Sequence, residues 1–191
     1  DNTANRRGHE LTTGPEIWSQ TGGAVDAFTC VTGTGGTLGG VARYLQSQKP
    51  EVQIVLADPP GSVLYSWVSS GGKKMERHGS SITEGIGQGR VTENLRGTRI
   101  DGALQVPDED TITTVFRLLH DEGLFVGAST AANVCAARSV AHSLGPGHTV
   151  VTVLCDGGYR YQSRLFSKSW LDSKGLLGCV PADCQHLLAY D

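Results

Sequence analysis

A short apolar run, Phe28-Thr-Cys-Val31, meets a glycine turn, Gly33-Thr34-Gly35-Gly36-Thr37, and passes at once into Leu38-Gly-Gly-Val-Ala-Arg-Tyr-Leu45. The pattern predicts a strand, a tight turn and a helix. Glycines let the backbone come close to an anion, and the helix that follows aims unpaired N–H groups and the positive end of its dipole at the turn. Thr34 and Thr37 add hydroxyl donors. The same spacing serves equally well as a purely geometric strand-to-helix turn, so the pattern by itself leaves a phosphate cradle and a structural corner both open.

The rest of the chain alternates in the same way. Val25 to Val31 reads as a strand, and the helix from Thr37 to Gln48 places Leu38, Val41, Ala42 and Leu45 on one face before Pro50 stops it. Val52 to Ala57 is a near-continuous apolar run, as expected of a parallel strand covered on both faces, and Asp58-Pro-Pro-Gly61 turns the chain away. Residues 69 to 97 are glycine-rich and polar, which predicts a loop. Ala103 to Val106 forms a short strand. Pro107-Asp108 opens a helix with Ile112, Val115, Phe116 and Leu119 inward and Gly123 as its C-cap. Ser129 or Thr130 is the expected N-cap of an alanine-rich helix ending near Gly145, and Thr149 to Leu154 is the last strand. The fold class is therefore α/β: an open, mostly parallel twisted sheet with helices on both faces. Ligands of such sheets collect at the carboxyl ends of the strands, where Gly33–Thr37 and Cys155-Asp-Gly-Gly158 both fall.

Composition narrows the function classes. A net charge of -3 with scattered Lys and Arg gives no nucleic-acid footprint, and no apolar run approaches the roughly 20 residues that cross a bilayer. No signal-peptide pattern opens the chain, so a cytoplasmic location is expected. The five cysteines, Cys30, Cys135, Cys155, Cys179 and Cys184, form no Cys-x-x-Cys pair and read as free thiols. Cys179, Cys184 and His186 lack a second ligand pair, and no metal is expected. Trp18, Trp67 and Trp170 read as packing anchors; His9, His120 and His142 as surface or capping residues without a paired acid; Arg160 and Tyr161 as packing residues, with a brace for the final loop as the alternative.

Several segments taken in order carry a resemblance. They are Asn2-Thr-Ala-Asn5, His9-Glu-Leu-Thr-Thr-Gly-Pro-Glu-Ile-Trp18, the glycine turn, Glu84-Gly-Ile-Gly-Gln-Gly89, Glu122-Gly-Leu-Phe-Val-Gly-Ala-Ser-Thr130 and Cys155-Asp-Gly-Gly-Tyr-Arg-Tyr161. Together they resemble the C-terminal portion of the cysteine synthase and cystathionine β-synthase family, fold-type II pyridoxal-phosphate enzymes. The resemblance covers about residues 1 to 175, a cofactor-cradle domain with the large-domain fold of the tryptophan synthase β-like group. Residues 176 to 191 form a C-terminal tail that matches nothing and is expected either to dock on a partner or to be disordered.

The resemblance implies pyridoxal 5'-phosphate as cofactor, with its phosphate held by Gly33, Thr34, Gly35, Gly36 and Thr37, and with Asp156 and Gly157 near the ring. Gly85, Ile86 and Gly87, within the segment to Gly89, would line the substrate mouth. The implied reaction is β-replacement of O-acetylserine by sulfide to give cysteine. Cystathionine formation from serine and homocysteine, and dehydration of a hydroxy amino acid, are sister reactions on the same frame. A non-catalytic binding or scaffold module is the alternative from another class. Two departures matter. The family's lysine, which carries the cofactor from a Ser-x-Lys-Asp/Asn-like segment, has no counterpart among Lys49, Lys73, Lys74, Lys168 and Lys174, so a lysine-bearing N-terminal domain or subunit is an expected partner and the isolated chain is expected to be inactive. The complete enzyme is expected to be a homodimer. Gly157 stands where the family places a serine whose hydroxyl meets the pyridine nitrogen. Alternation along the strand end would turn Asp156 away from that place, leaving a water or a different mode of binding.

Overall fold

A computed structural model describes residues 1–189 and 191. Two short helices, α1 (Ala4–Leu11) and α2 (Thr13–Gln20), precede β1 (Ala27–Val31), α3 (Gly36–Gln48) and β2 (Gln53–Asp58). Then come α4 (Leu64–Ser69), a long irregular stretch, β3 (Gly102–Gln105), α5 (Asp108–Glu122), α6 (Ala128–Leu144), β4 (Val150–Val151), α7 (Gln162–Leu165) and α8 (Lys168–Ser173). The strands form one parallel sheet in the order β3-β2-β1-β4.

β1 is buried along its whole length and sends alternate side chains to opposite faces. Phe28 and Cys30 join Ile54 and Leu56 under the apolar stripe of α3, where Leu38, Val41, Ala42 and Leu45 are fully buried. On the other face Val31 and Ala57 meet Ala132, Cys135 and Ala136 of α6, whose small side chains let the helix lie close to the sheet. A second core, of Ile112, Val115, Phe116, Leu165, Phe166 and Leu171, fixes α5 to α7 and α8. The doubly covered parallel sheet expected from the sequence is the one present. Trp18 and Trp67 pack on the first core and Trp170 on the second, as anchors.

Several local expectations are corrected. α6 starts at Ala128, with Gly127 as N-cap and no side-chain cap from Ser129 or Thr130, which lie inside the first turn. The last strand is shorter than Thr149 to Leu154: only Val150 and Val151 pair with β1. Helix α4 follows the Asp58-Pro-Pro turn because the buried Asp58 carboxylate accepts from the Tyr65 amide at 2.7 Å, an anchor with no apolar periodicity to announce it. Residues 176–189 fold on their own chain, with Val180 and Cys184 buried in the α5 core. His120 does have an acid beside it, Asp121 at 2.6 Å. His9 is half-buried between Thr13 Oγ1 (2.9 Å) and Thr37 Oγ1 (3.2 Å), so it joins α1 to the start of α3.

At the amino end of β1, Asp26 accepts from Lys49 Nζ and from the Thr149 amide, both at 2.8 Å, and so ties α3 and β4 to the strand. Those two donors hold its carboxyl below the ordinary value of 3.8. Because the folded pKa is depressed, the stabilisation is complete above the unfolded value and is lost as pH falls through the folded one. Urea midpoints of wild type and Asp26→Asn should therefore differ at neutral pH and converge below about pH 4. A gap that stays constant into acid rules this linkage out.

Candidate functional site

The sheet opens at its carboxyl end. β1 pairs with β4 only through Ala27 and Phe28, and beyond that point the two strands part. β1 is also where the strand order reverses, because β2 and β3 lie on one side and β4 on the other. Open α/β sheets bind ligands at such a switch point. A cleft of about 350 Å³ occupies it, walled on one side by residues 31–38 and on the other by Cys155, Asp156, Arg160 and Tyr161, with Glu84 to Ile86 and Ser129 at its margins.

The glycine turn forms one wall of the cleft. Gly35 adopts the left-handed conformation (φ 79°), which brings the backbone round into the first turn of α3. Among the described residues, the amides of residues 33–38 donate to no protein acceptor, whereas the next amide, that of Gly39, returns to the Gly35 carbonyl at 2.9 Å. The turn is braced from behind. The Thr34 carbonyl accepts from Thr92 Oγ1 (2.6 Å) and Asn94 Nδ2 (3.2 Å), and Thr34 Oγ1 accepts from Asn5 Nδ2 (3.0 Å). A Cβ at Gly35 would lie 2.5 Å from Leu95 Cγ, and one at Gly33 would lie 2.4 Å from the Gly85 carbonyl oxygen. The turn is thus a pre-shaped loop of free donors that accepts no side chain at these two positions.

Gly33, Thr34, Gly35, Gly36 and Thr37 all line the cleft, together with Gly85, Ile86 and Asp156. Gly87 and Gly157 do not. Gly87 packs behind the wall, its amide donating to the Thr32 carbonyl at 2.9 Å, and Gly157 forms a bridge with Val126. The Asp156 carboxylate is already engaged: Tyr161 Oη donates to Oδ2 at 2.6 Å and Ser129 Oγ to Oδ1 at 3.4 Å. Burial and the neighbouring Asp156 raise the Tyr161 pKa, which keeps the phenol a donor. No lysine is among the residues that line the cleft. Lys49 is bound to Asp26 at the opposite end of β1, Lys74 pairs with Glu76, and Lys174 lies over the Trp170 ring.

Asn133, on α6, was not singled out by the sequence. It is fully buried and spans the gap where β1 and β4 separate, accepting from the Val31 amide at 2.5 Å and donating to the Val153 carbonyl at 2.6 Å. Thr92, Asn94 and Leu95 were also missed, since only their distance in space from the turn reveals their role. A larger groove of about 740 Å³ runs between Ser81, Asp108 and Trp170, but its polar walls hold mixed charge and no array of free amides. His120, Asp183 and Cys184 bring ligand atoms within 4.8 Å of one another. There, Arg117 holds Asp183 (2.8 Å) and Asp121 holds His120. Among the described residues, no helix is long and apolar enough to cross a membrane.

Comparison with known proteins agrees with this geometry. Residues 1–156 match the family described as "Pyridoxal-phosphate dependent enzyme". The chain is 62% identical over its whole length to Cysteine synthase 1 of Emericella nidulans and 60% identical to Cysteine synthase 1 of Neurospora crassa. It covers 51% and 50% of those proteins, so it spans about half the length of the curated relatives it matches. Among solved structures, the O-acetylserine dependent cystathionine beta-synthase from Helicobacter pylori superposes with a TM-score of 0.77 at 31% identity, over 86% of this chain and 51% of that one. A cleft at the switch point, a loop of free amides on its wall and a family match across most of the sequence converge: the chain belongs to the pyridoxal-phosphate dependent enzyme family.

Proposed function

We propose that this chain is the cofactor-cradle portion of a cysteine synthase that replaces the acetoxy group of O-acetylserine by sulfide. The observation that carries the reading is the set of unpaired amides at residues 33–38 facing a cleft of ligand size. Gly33, Thr34, Gly35, Gly36 and Thr37 hold the phosphate, whose two negative charges suit the first turn of α3. Thr92 and Asn94 keep the Thr34 carbonyl turned away from that anion, so its amides alone face it. Gly85 and Ile86, against the cradle, form the substrate mouth. The Asp156–Tyr161 pair and Ser129 shape the far wall without offering a base. The chemistry supplied by the cofactor when bound is that of an electron sink, which lets an α-proton and a β-substituent leave.

The lysine that anchors the cofactor comes from the remaining half of the enzyme, which the relatives' length supports. Leu154, three residues beyond the outer strand β4, is 58% exposed, an apolar margin suited to being covered by that half. The complete enzyme works as a homodimer. Cystathionine formation is the second reading, favoured by the likeness to the Helicobacter pylori cystathionine beta-synthase. Assays of the complete enzyme with sulfide, homocysteine and water as acceptors separate the two.

Pyridoxal phosphate should bind the chain saturably, and inorganic phosphate should compete with it, because the cradle recognises the phosphate rather than the ring. Fluorescence titration with and without phosphate checks this. Binding that phosphate does not displace, or no binding at all, overturns the cradle.

A further inference from the structure

Away from the cleft, the last turn of α5 meets the 3-10 helical turn Ala182–Leu187. His120, Asp183 and Cys184 come together there, each with one ligand atom within 4.8 Å of the others, and none of the three lines the cleft. The second element that Cys184 and His186 lack in the sequence is thus supplied across space by α5. An imidazole nitrogen, a carboxylate oxygen and a thiolate sulfur form a donor set that suits zinc, whereas magnesium and calcium take oxygen.

The spacing fits a tetrahedral ion. Bond lengths of roughly 2.0 to 2.3 Å put two ligands of one zinc about 3.5 Å apart. Cys184 Sγ lies 3.8 Å from Asp183 Oδ1. The sulfur's other contact, to the Phe116 carbonyl, is 4.0 Å long and holds it only weakly. Both polar ligands are also supported from behind. An ionised carboxylate only accepts, so in the 2.6 Å bond between His120 and Asp121 the proton sits on Nδ1, and in the neutral ring the lone pair lies on Nε2. Asp183 gives Oδ2 to Arg117 at 2.8 Å and turns Oδ1 toward the sulfur. A histidine that donates to a carboxylate, and a ligating carboxylate that is itself hydrogen-bonded, are the outer supports that metal ligands need. Two carboxylates and a thiolate set against one guanidinium leave a net double negative charge, which a divalent ion neutralises. His186, on the same turn as Cys184, stands edge-on to His120 with ring centroids 5.9 Å apart, so a second imidazole is at hand for the fourth position.

We propose that His120, Asp183 and Cys184 bind one zinc ion that clips the C-terminal turn to α5. His120 and Asp183 are exposed and Cys184 is buried, so the ion enters between the first two and meets the sulfur beneath them. Binding takes the thiol as thiolate and releases its proton to solvent. The site is structural and does not depend on what the cleft holds.

The test uses the full-length enzyme stripped of metal and titrated with cobalt(II), read as difference absorption against the metal-free enzyme, and then with zinc, read by thermal unfolding. Wild type should take up one equivalent of cobalt per chain, with a thiolate charge-transfer band and the visible bands of a tetrahedral ion. Zinc should displace the cobalt and raise the unfolding midpoint, and magnesium should do neither. His120→Ala and Asp183→Asn, both at exposed positions, should each weaken zinc binding at least tenfold. Cys184→Ser should erase the charge-transfer band; if that buried substitution prevents folding, the two exposed variants decide alone. Asp121→Asn, which touches no metal, should weaken zinc about tenfold because His120 loses its orienting partner. Cys155→Ser, which removes the exposed thiol of the cleft, should keep the band. No cobalt bands in wild type, zinc affinity unchanged in His120→Ala and Asp183→Asn, or a band lost in Cys155→Ser overturns the site and leaves the cradle untouched.

Discussion

Replacing Gly35 by alanine should cost about 3 kcal/mol of stability and about 100-fold in affinity for pyridoxal phosphate. Two penalties add. The residue sits at φ 79°, a left-handed conformation that costs an L-residue roughly 1–2 kcal/mol. The new methyl would also lie 2.5 Å from Leu95 Cγ, overpacking that costs roughly 1–3 kcal/mol. Relief requires the turn to move, and movement of the turn disperses the converging amides. Urea unfolding and a cofactor titration read the two consequences separately. A variant that keeps both wild-type values would show that the turn's shape is not what holds the phosphate.

Asn133→Leu is the second large effect, and it acts without touching the cofactor's phosphate. The amide side chain satisfies the buried Val31 N–H and Val153 carbonyl where the β1–β4 ladder has opened. A leucine keeps the same branched arrangement of heavy atoms, slightly larger, and satisfies neither. Each orphaned buried group costs roughly 1–3 kcal/mol, so a loss of about 4 kcal/mol is expected. The strand ends also lose their fixed spacing, so phosphate affinity should fall with stability. Unfolding curves for Asn133→Leu beside Asn133→Asp check the mechanism. If the leucine variant matches wild type, the strand ends are satisfied by something other than Asn133.

What could be read in advance divides along physical lines. The strand–turn–helix unit from Phe28 to Leu45 was legible because local demands and the fold agree there: apolar burial, glycine at the turn, a clean helical stripe. Helix α5 was legible for the same reason, with Gly123 at φ 70° in the capping position expected of it. Helices α1 and α2 were not. α1 buries no residue and has no apolar face of its own, and it is set in place by α3 through contacts such as His9 with Thr37. The start of α6 was misplaced because the extended Gly127 stands at the N-cap and binds through its backbone, its amide donating to the Asp156 carbonyl, where a serine side chain was expected to cap. In the site, the cradle and the Gly85–Ile86 margin were visible as motifs. Thr92, Asn94 and Asn133 were not, because buried polar residues that serve a distant backbone leave no periodic or compositional trace.

The parting of β1 and β4 has a consequence for the order in which this molecule assembles. β1 meets β2 across a short chain separation, Ala27 against Gln53, but it meets β4 only after the chain has returned over 123 residues, as in the Asp26 to Thr149 contact. Closing the longer loop costs roughly 1.4 kcal/mol more entropy. The amide turn and its helix can therefore be in place while the opposite wall is still missing. The far wall of the cleft, from Cys155 to Tyr161, then closes last in refolding, after the turn that it faces has formed.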